Sequence, residues 1–178
     1  MTKKTTWISV CVLLILAGMA QAQNTGTTTL SVVVPAEAAL TVTTGTTSLS
    51  TTGTTFSNPF TGTTSLTYFI RTTKTTGTGT LTVKITADFA GTGGPSVATP
   101  PSAGDALGYT CTVSNPGTAC TGSQTASTTA STALGSWGAG ASSAKAGNSA
   151  SVAWSLTDDP AYAQGTYTAT ATFTISAT

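Results

Sequence analysis

The stretch Thr80-Leu-Thr-Val-Lys-Ile-Thr-Ala-Asp-Phe89 decides the fold class. Leu81, Val83, Ile85, Ala87 and Phe89 fall on one side of an extended chain; Thr82, Lys84, Thr86 and Asp88 fall on the other. A period of two belongs to a strand with one face in a core and one in water. The chain ends on the same pattern. Tyr167, Ala169, Ala171, Phe173 and Ile175 alternate with Thr166, Thr168, Thr170, Thr172 and Thr174. Shorter alternating runs lie between and before: Leu30, Val32 and Val34 up to Pro35; Leu40 and Val42; Leu66, Tyr68 and Ile70; Tyr109, Cys111 and Val113; Val152, Trp154 and Leu156. No segment sustains a period of 3.6 between helix caps. One apolar face and one Thr face per strand is what two antiparallel sheets packed face to face require. The expectation is an all-β chain, folded as an antiparallel immunoglobulin-like β-sandwich. A lipid-facing barrel would alternate too, but it needs aromatic girdles, and aromatics make up only 7% of this chain.

Composition points the same way. About a quarter of the residues are Thr, whose branched Cβ favours strands while its hydroxyl keeps a surface wet. Charged residues are 6% of the chain. Lys3 and Lys4 precede an uncharged apolar run from Trp7 to Met19, and Ala20-Gln21-Ala22 offers small residues where a signal peptidase cuts. That is the pattern of a cleaved signal peptide over residues 1–22, with an apolar run too short for a stable membrane span. Residues 23–178 are then one domain, long enough to bury a core. Export places that domain outside the cytoplasm: extracellular, at the cell surface or in the periplasm. The exported part holds Arg71, Lys74, Lys84 and Lys145 against Glu37, Asp88, Asp105, Asp158 and Asp159. Nothing in that balance would neutralise a phosphate backbone, so nucleic acid is not an expected partner. No polybasic stretch points to a membrane surface.

Cys11 leaves with the signal, and Cys111 and Cys120 remain. They bracket Asn115-Pro116-Gly117, a strong turn signal, so they can face each other across a hairpin-like loop. In an exported protein a disulfide is the expected outcome. A metal pair has no His and no further Cys to complete it.

Two stretches read as loops: 91–106, with Gly93-Gly94-Pro95 and Pro100-Pro101, and 133–150, rich in Gly, Ala and Ser around Trp137 and Lys145. The Thr-Thr-Gly-Thr-Thr repeats at 43–47 and 51–55, echoed at 61–64, read as turns between short strands. Trp137 on a polar loop is a candidate contact for a sugar ring or a partner; the competing reading folds it back as a lid. Trp154, between Val152 and Leu156, reads as core.

The chemistry of catalysis is thinly supplied. The absence of His removes the commonest general base and every Ser–His–Asp arrangement. Asp158-Asp159-Pro160 is the one local carboxylate pair; it reads as a turn, since Ca²⁺ wants six to eight oxygens and no spaced ladder supplies them. Lys145 beside Ser142 and Ser143 reads as a solvated lysine and not as a dyad. No cofactor, metal site or catalytic residue is expected.

The ending Gly165-Thr-Tyr-Thr-Ala-Thr-Ala-Thr-Phe-Thr-Ile-Ser-Ala-Thr178 resembles the last strand of bacterial fimbrial subunits and of the spore-coat-U-like secreted sandwich proteins. In those pilins a Gly commonly stands fourteenth from the end, where Gly165 stands here. Ala177 occupies the place of the family's penultimate Tyr, and Cys111–Cys120 is late and local where the usual pilin disulfide joins early strands. The resemblance implies an N-terminal extension of alternating apolar residues donated to a neighbouring subunit, a part that Leu30, Val32 and Val34 match in pattern. The same residues suit an edge strand completing their own sandwich, which the short link from Pro35 to Leu40 favours. The leading expectation is a secreted, non-catalytic structural subunit of a pilus-like or coat-like cell-surface assembly, with further copies of itself as partners in an oligomer or filament. The alternative is a secreted module that binds surface glycan or protein through the 91–106 and 133–150 loops.

Overall fold

The computed structural model describes residues 25–178; the signal-peptide expectation and Cys11 lie outside the described residues. Nine strands and, among the described residues, no helix make up the fold: β1 Glu37–Val42, β2 Phe60–Arg71, β3 Gly79–Ala87, β4 Gly108–Val113, β5 Thr118–Ala119, β6 Gln124–Thr125, β7 Thr132–Trp137, β8 Asn148–Leu156 and β9 Thr170–Ala177. They form two antiparallel sheets, a five-stranded one in the order β1-β2-β8-β4-β6 and a four-stranded one in the order β5-β7-β3-β9. The arrangement is all-β and sandwich-like, as the alternation requires.

The core is the set of inward residues of both sheets. Leu66, Tyr68 and Ile70 on β2, Tyr109 on β4, and Val152, Trp154 and Leu156 on β8 are buried from one side. Leu81, Val83 and Ile85 on β3, with Leu134 and Trp137 on β7, are buried from the other. Their polar atoms are mostly satisfied, as burial demands. Tyr109 Oη donates to Ala133 O at 2.9 Å, and Trp154 Nε1 donates to the buried Thr64 Oγ1 at 2.9 Å. Outward positions are hydroxyls that pair across strands: Thr112 with Ser151 at 2.7 Å, Thr80 with Ser176 at 2.9 Å and Thr86 with Thr172 at 2.8 Å.

Several local expectations are corrected. The region 133–150 is not a single loop, because β7 and the start of β8 occupy most of it and only 138–147 connects them. A register shift explains why β7 escaped the alternation: Leu81 pairs with Gly135 and Thr82 with Ala133, so Leu134 is an extra residue, as in a β-bulge. Leu134 and Trp137, three apart, therefore both face inward. The 43–59 stretch contains no strand beyond an isolated bridge from Ser50 to Thr61. The Thr61-Gly62-Thr63-Thr64 echo lies inside β2 and is not a turn. Gly62 is needed there because a Cβ would stand 2.5 Å from Ser48 O. The last strand starts at Thr170, so Tyr167 and Ala169 precede it, and β3 ends before Phe89. Leu30, Val32 and Val34 form no strand; residues 25–36 have no regular structure.

Cys111 and Cys120 are joined, with Cα atoms 5.8 Å apart. They do not close a hairpin. Cys111 lies on β4 of the five-stranded sheet, and Cys120 directly follows β5 of the four-stranded sheet, so the disulfide stitches the two sheets together.

Candidate functional site

The two sheets meet unequally at their margins. At one margin β1 and β9 are the outer strands of their respective sheets. Leu66, Tyr68 and Ile70 on β2, Leu81, Val83 and Ile85 on β3, and Val152, Trp154 and Leu156 on β8 are buried, whereas Ala171, Phe173, Ile175 and Ala177 on β9 and Leu40 on β1 are only half-buried. Val42 is 42% exposed. β9 hydrogen-bonds to β3 on one side only, which leaves the outer row of its backbone groups as a template for another strand. This margin combines an open apolar face with an unpaired edge. The segment ahead of β1 is apolar and exposed: Leu30 is 91% exposed, Val32 84%, Val33 87% and Val34 60%.

Trp137, a sequence candidate for contact with sugar or protein, is 3% exposed and packs on Tyr68 with ring centroids 4.8 Å apart. The Gly, Ala and Ser residues around it suggest a loop, but Gly135 is a strand residue, where a Cβ would stand 2.8 Å from Val113 Cγ2. Trp137 belongs to the core. Trp154 is core as expected, edge-on to Tyr109 at 5.5 Å.

The candidate loops lie at opposite ends. β2 runs toward Arg71 and pairs with β8 so that Phe60 faces Leu156, and Gly79 of β3 follows at the Arg71 end. The loops 72–78, 114–117 and 138–147 therefore share one end, here the upper end. The loops 88–107, 126–131 and 157–169 share the lower end. At the upper end Ser143 N donates to Ile70 O at 2.9 Å and Ser143 Oγ accepts from Ile70 N at 3.0 Å, while Lys145 is exposed. Nearby, Arg71 pairs with Glu37 at 2.7 Å and donates to Pro35 O at 2.9 Å. A shallow groove of about 500 Å³ lies here, lined by Glu37, Ala39, Phe69, Arg71, Ser143 and Lys145.

At the lower end acids organise the loops. Asp88 accepts from Phe89 N, Val97 N and Ala98 N and from Ser96 Oγ, at 2.7 to 3.0 Å. Partial burial pushes its carboxyl up, but these four bonds outweigh that and hold it below the usual carboxylate range. Ala163 N donates to Gly93 O at 2.7 Å and Thr157 Oγ1 to Gly104 O at 3.3 Å, which fasten the 88–107 loop to the 157–169 loop. Across this junction Asp105 meets Asp159. Asp105 is 3% exposed, and its Oδ2 has no hydrogen-bond donor among the described residues. Desolvation, then the neighbouring Asp159 carboxyl, push Asp105 up. Asp159, capping Ala161 N at 2.6 Å, is held down. Burial and the charges of Asp105, Asp159 and Asp158 push Tyr162 up to about 12.

Asp158-Asp159-Pro160 does sit between two strands, and Asp159 makes the turn bond to Ala161. Its pairing with Asp105 was invisible in the sequence, because only the strand order brings residues so distant together. Among the described residues no three Cys, Asp or Glu side chains gather in a group that could hold a metal ion. Comparison with protein families, with known proteins and with solved structures gives no match for this chain.

Proposed function

We propose that this chain is an exported, non-catalytic structural subunit of a cell-surface assembly, pilus-like or coat-like, whose folded part is an immunoglobulin-like sandwich. The observation that carries the reading is the pairing of an open margin with an exposed alternating segment. Phe173 and Ile175 on the unpaired edge β9 are half-buried, and Leu30, Val32 and Val34 stand in water. Adding a strand to an exposed edge gains backbone hydrogen bonds, and alternate side chains then cover the open core. The alternating apolar segment has the spacing to do this for a neighbouring copy. The export pattern at residues 1–22 and the hydroxyl-covered, charge-poor surface suit a protein that lives outside the cell.

The test removes residues 23–34. If the segment is donated, the shortened chain stays folded by circular dichroism, forms no oligomers on size exclusion, and takes up a synthetic peptide of residues 23–34. Oligomers unaffected by the deletion would overturn the reading. So would a shortened chain that unfolds and regains only a monomer when peptide is added. The second reading, a module for surface glycan or protein, draws support from the groove around Phe69, Arg71 and Lys145. The loops 91–106 and 138–147 would then act as separate surfaces.

A further inference from the structure

Charged residues are sparse in this domain, and the fold sorts them by end. Glu37, Arg71, Lys74 and Lys145 lie at the upper end, three cations against one anion, net +2. Asp88, Asp158 and Asp159 lie at the lower end with no cation among them, beside the buried Asp105, whose carboxyl is pushed up. Between the ends the outer faces carry Thr and Ser hydroxyls, and Lys84 is the one charged side chain there among the described residues. The sequence hides this, because the four lower acids come from two loops about 50 residues apart, joined only by the sheet order.

We propose that the domain associates head to tail with a second copy, the acidic lower end of one molecule against the basic upper end of the next. The inference rests on the subunit reading for what the contact builds, though not for the contact itself. Lys74 and Lys145 are exposed, and their loops are fastened together by Gly140 N donating to Thr73 O at 2.9 Å. The lower loops are likewise fastened by the Ala163–Gly93 and Thr157–Gly104 bonds. Each end is therefore a fixed surface with an excess of one sign. Like ends repel and unlike ends attract, so a second copy arriving in parallel polarity is selected. A contact between two different surfaces does not close on itself by a two-fold axis, and its repetition gives a ring or an open filament according to the rotation between copies. Exposed ion pairs contribute little each, so the contact is weak and salt-sensitive, and the summed charge of each end sets its polarity.

The experiment is sedimentation velocity of the purified protein across ionic strength, joined to zero-length carbodiimide cross-linking read by mass spectrometry. β8 alone spans roughly 30 Å at about 3.4 Å per residue, so an amide between Lys74 or Lys145 and Asp158 can only join two molecules. Expected are concentration-dependent association at low salt that is lost at high salt, and Lys74–Asp158 or Lys145–Asp158 peptides in the covalent dimer. Lys74→Glu with Lys145→Glu makes both ends acidic and should abolish both signals; Lys74→Arg with Lys145→Arg should keep the salt-sensitive association. Association that ignores salt, a reversed variant that associates like the wild type, or dimers whose cross-links never join an upper-end lysine to Asp88, Asp158 or Asp159 would each overturn the proposal. Salt-sensitive, cross-linked dimers that survive loss of residues 23–34 would sink the edge-strand reading and leave polarity standing. Oligomers that need residues 23–34 but ignore the charge reversal would do the opposite.

Discussion

Truncating Trp137 to alanine removes a ring that is 3% exposed and packed on Tyr68 between the two sheets. Gly117 lies close on the ring, where a Cβ would stand 2.8 Å from Trp137 Nε1. Loss of a buried Trp costs about 3–5 kcal/mol. For a chain of this size 1 kcal/mol lowers the midpoint by about 2–4 °C, so the melting temperature should fall by roughly 6–20 °C. The same change at Trp154 should cost a similar amount. The phenylalanine variants separate the two positions. Trp137 Nε1 is buried and has no acceptor among the described residues, so Trp137→Phe removes an unsatisfied donor and should shift stability by less than about 1 kcal/mol. Trp154 Nε1 donates to buried Thr64 Oγ1, so Trp154→Phe should cost about 1–3 kcal/mol. Urea unfolding followed by the remaining tryptophan's fluorescence measures all four variants. A loss below about 1 kcal/mol for Trp137→Ala would show that the ring is not in the core and return it to the list of contact residues. Equal losses for the two phenylalanine variants would refute the hydrogen-bond argument.

Reducing Cys111–Cys120 should cost about 2.5–3 kcal/mol by the chain-entropy relation for a ring of this size, read as a lower urea midpoint in dithiothreitol; an unchanged midpoint would count against the stitch. The Asp105–Asp159 pair should leave a pH signature. Asp105 has its folded pKa raised, so its contribution to stability is present at low pH and is lost as pH rises through that raised value. Asp159 and Asp88 are depressed, so theirs is present above the ordinary carboxylate range and is lost as pH falls. Asp105→Asn should therefore melt higher than the wild type at neutral pH and converge with it in acid; parallel profiles would remove the pair. Asp88→Ala should free the 89–99 segment, seen as faster amide exchange at Val97 and Ala98, while β3 stays protected. Unchanged exchange there would show that the loop is held by other contacts.

The strands with an unbroken period of two were legible, and the reason is physical. From Gly79 to Ile85 on β3 and from Ala150 to Leu156 on β8 every second residue is buried against the opposite sheet, so burial writes itself into the order of residues. β7 was not legible, because Leu134 is inserted at a register shift and the inward positions fall three apart. Gly135 looked like a loop residue for a reason that is itself tertiary: Val113 of the other sheet needs the space. Misreading β7 then misplaced Trp137. The two cysteines were legible as a pair, but the sheets they connect were not, since Asn115-Pro116-Gly117 suits a hairpin and a crossover between sheets alike.

The candidate site divides along the same line. The alternating segment Leu30, Val32 and Val34 could be found in the sequence, because its pattern is local. The open margin it would suit could not, because half-burial of Phe173 and Ile175 depends on β9 lying at the end of its sheet. Nothing in the Thr-apolar alternation of the last strand distinguishes an edge from a centre. The charges behave alike. Lys74 and Lys145 are 71 residues apart, as are Asp88 and Asp159, and neither pair forms a run. Antiparallel pairing returns each loop to one of two ends, and in a domain with so few charges that return is enough to separate their signs. A low charge content therefore does not make this surface featureless; it leaves the end-to-end polarity unopposed by the faces.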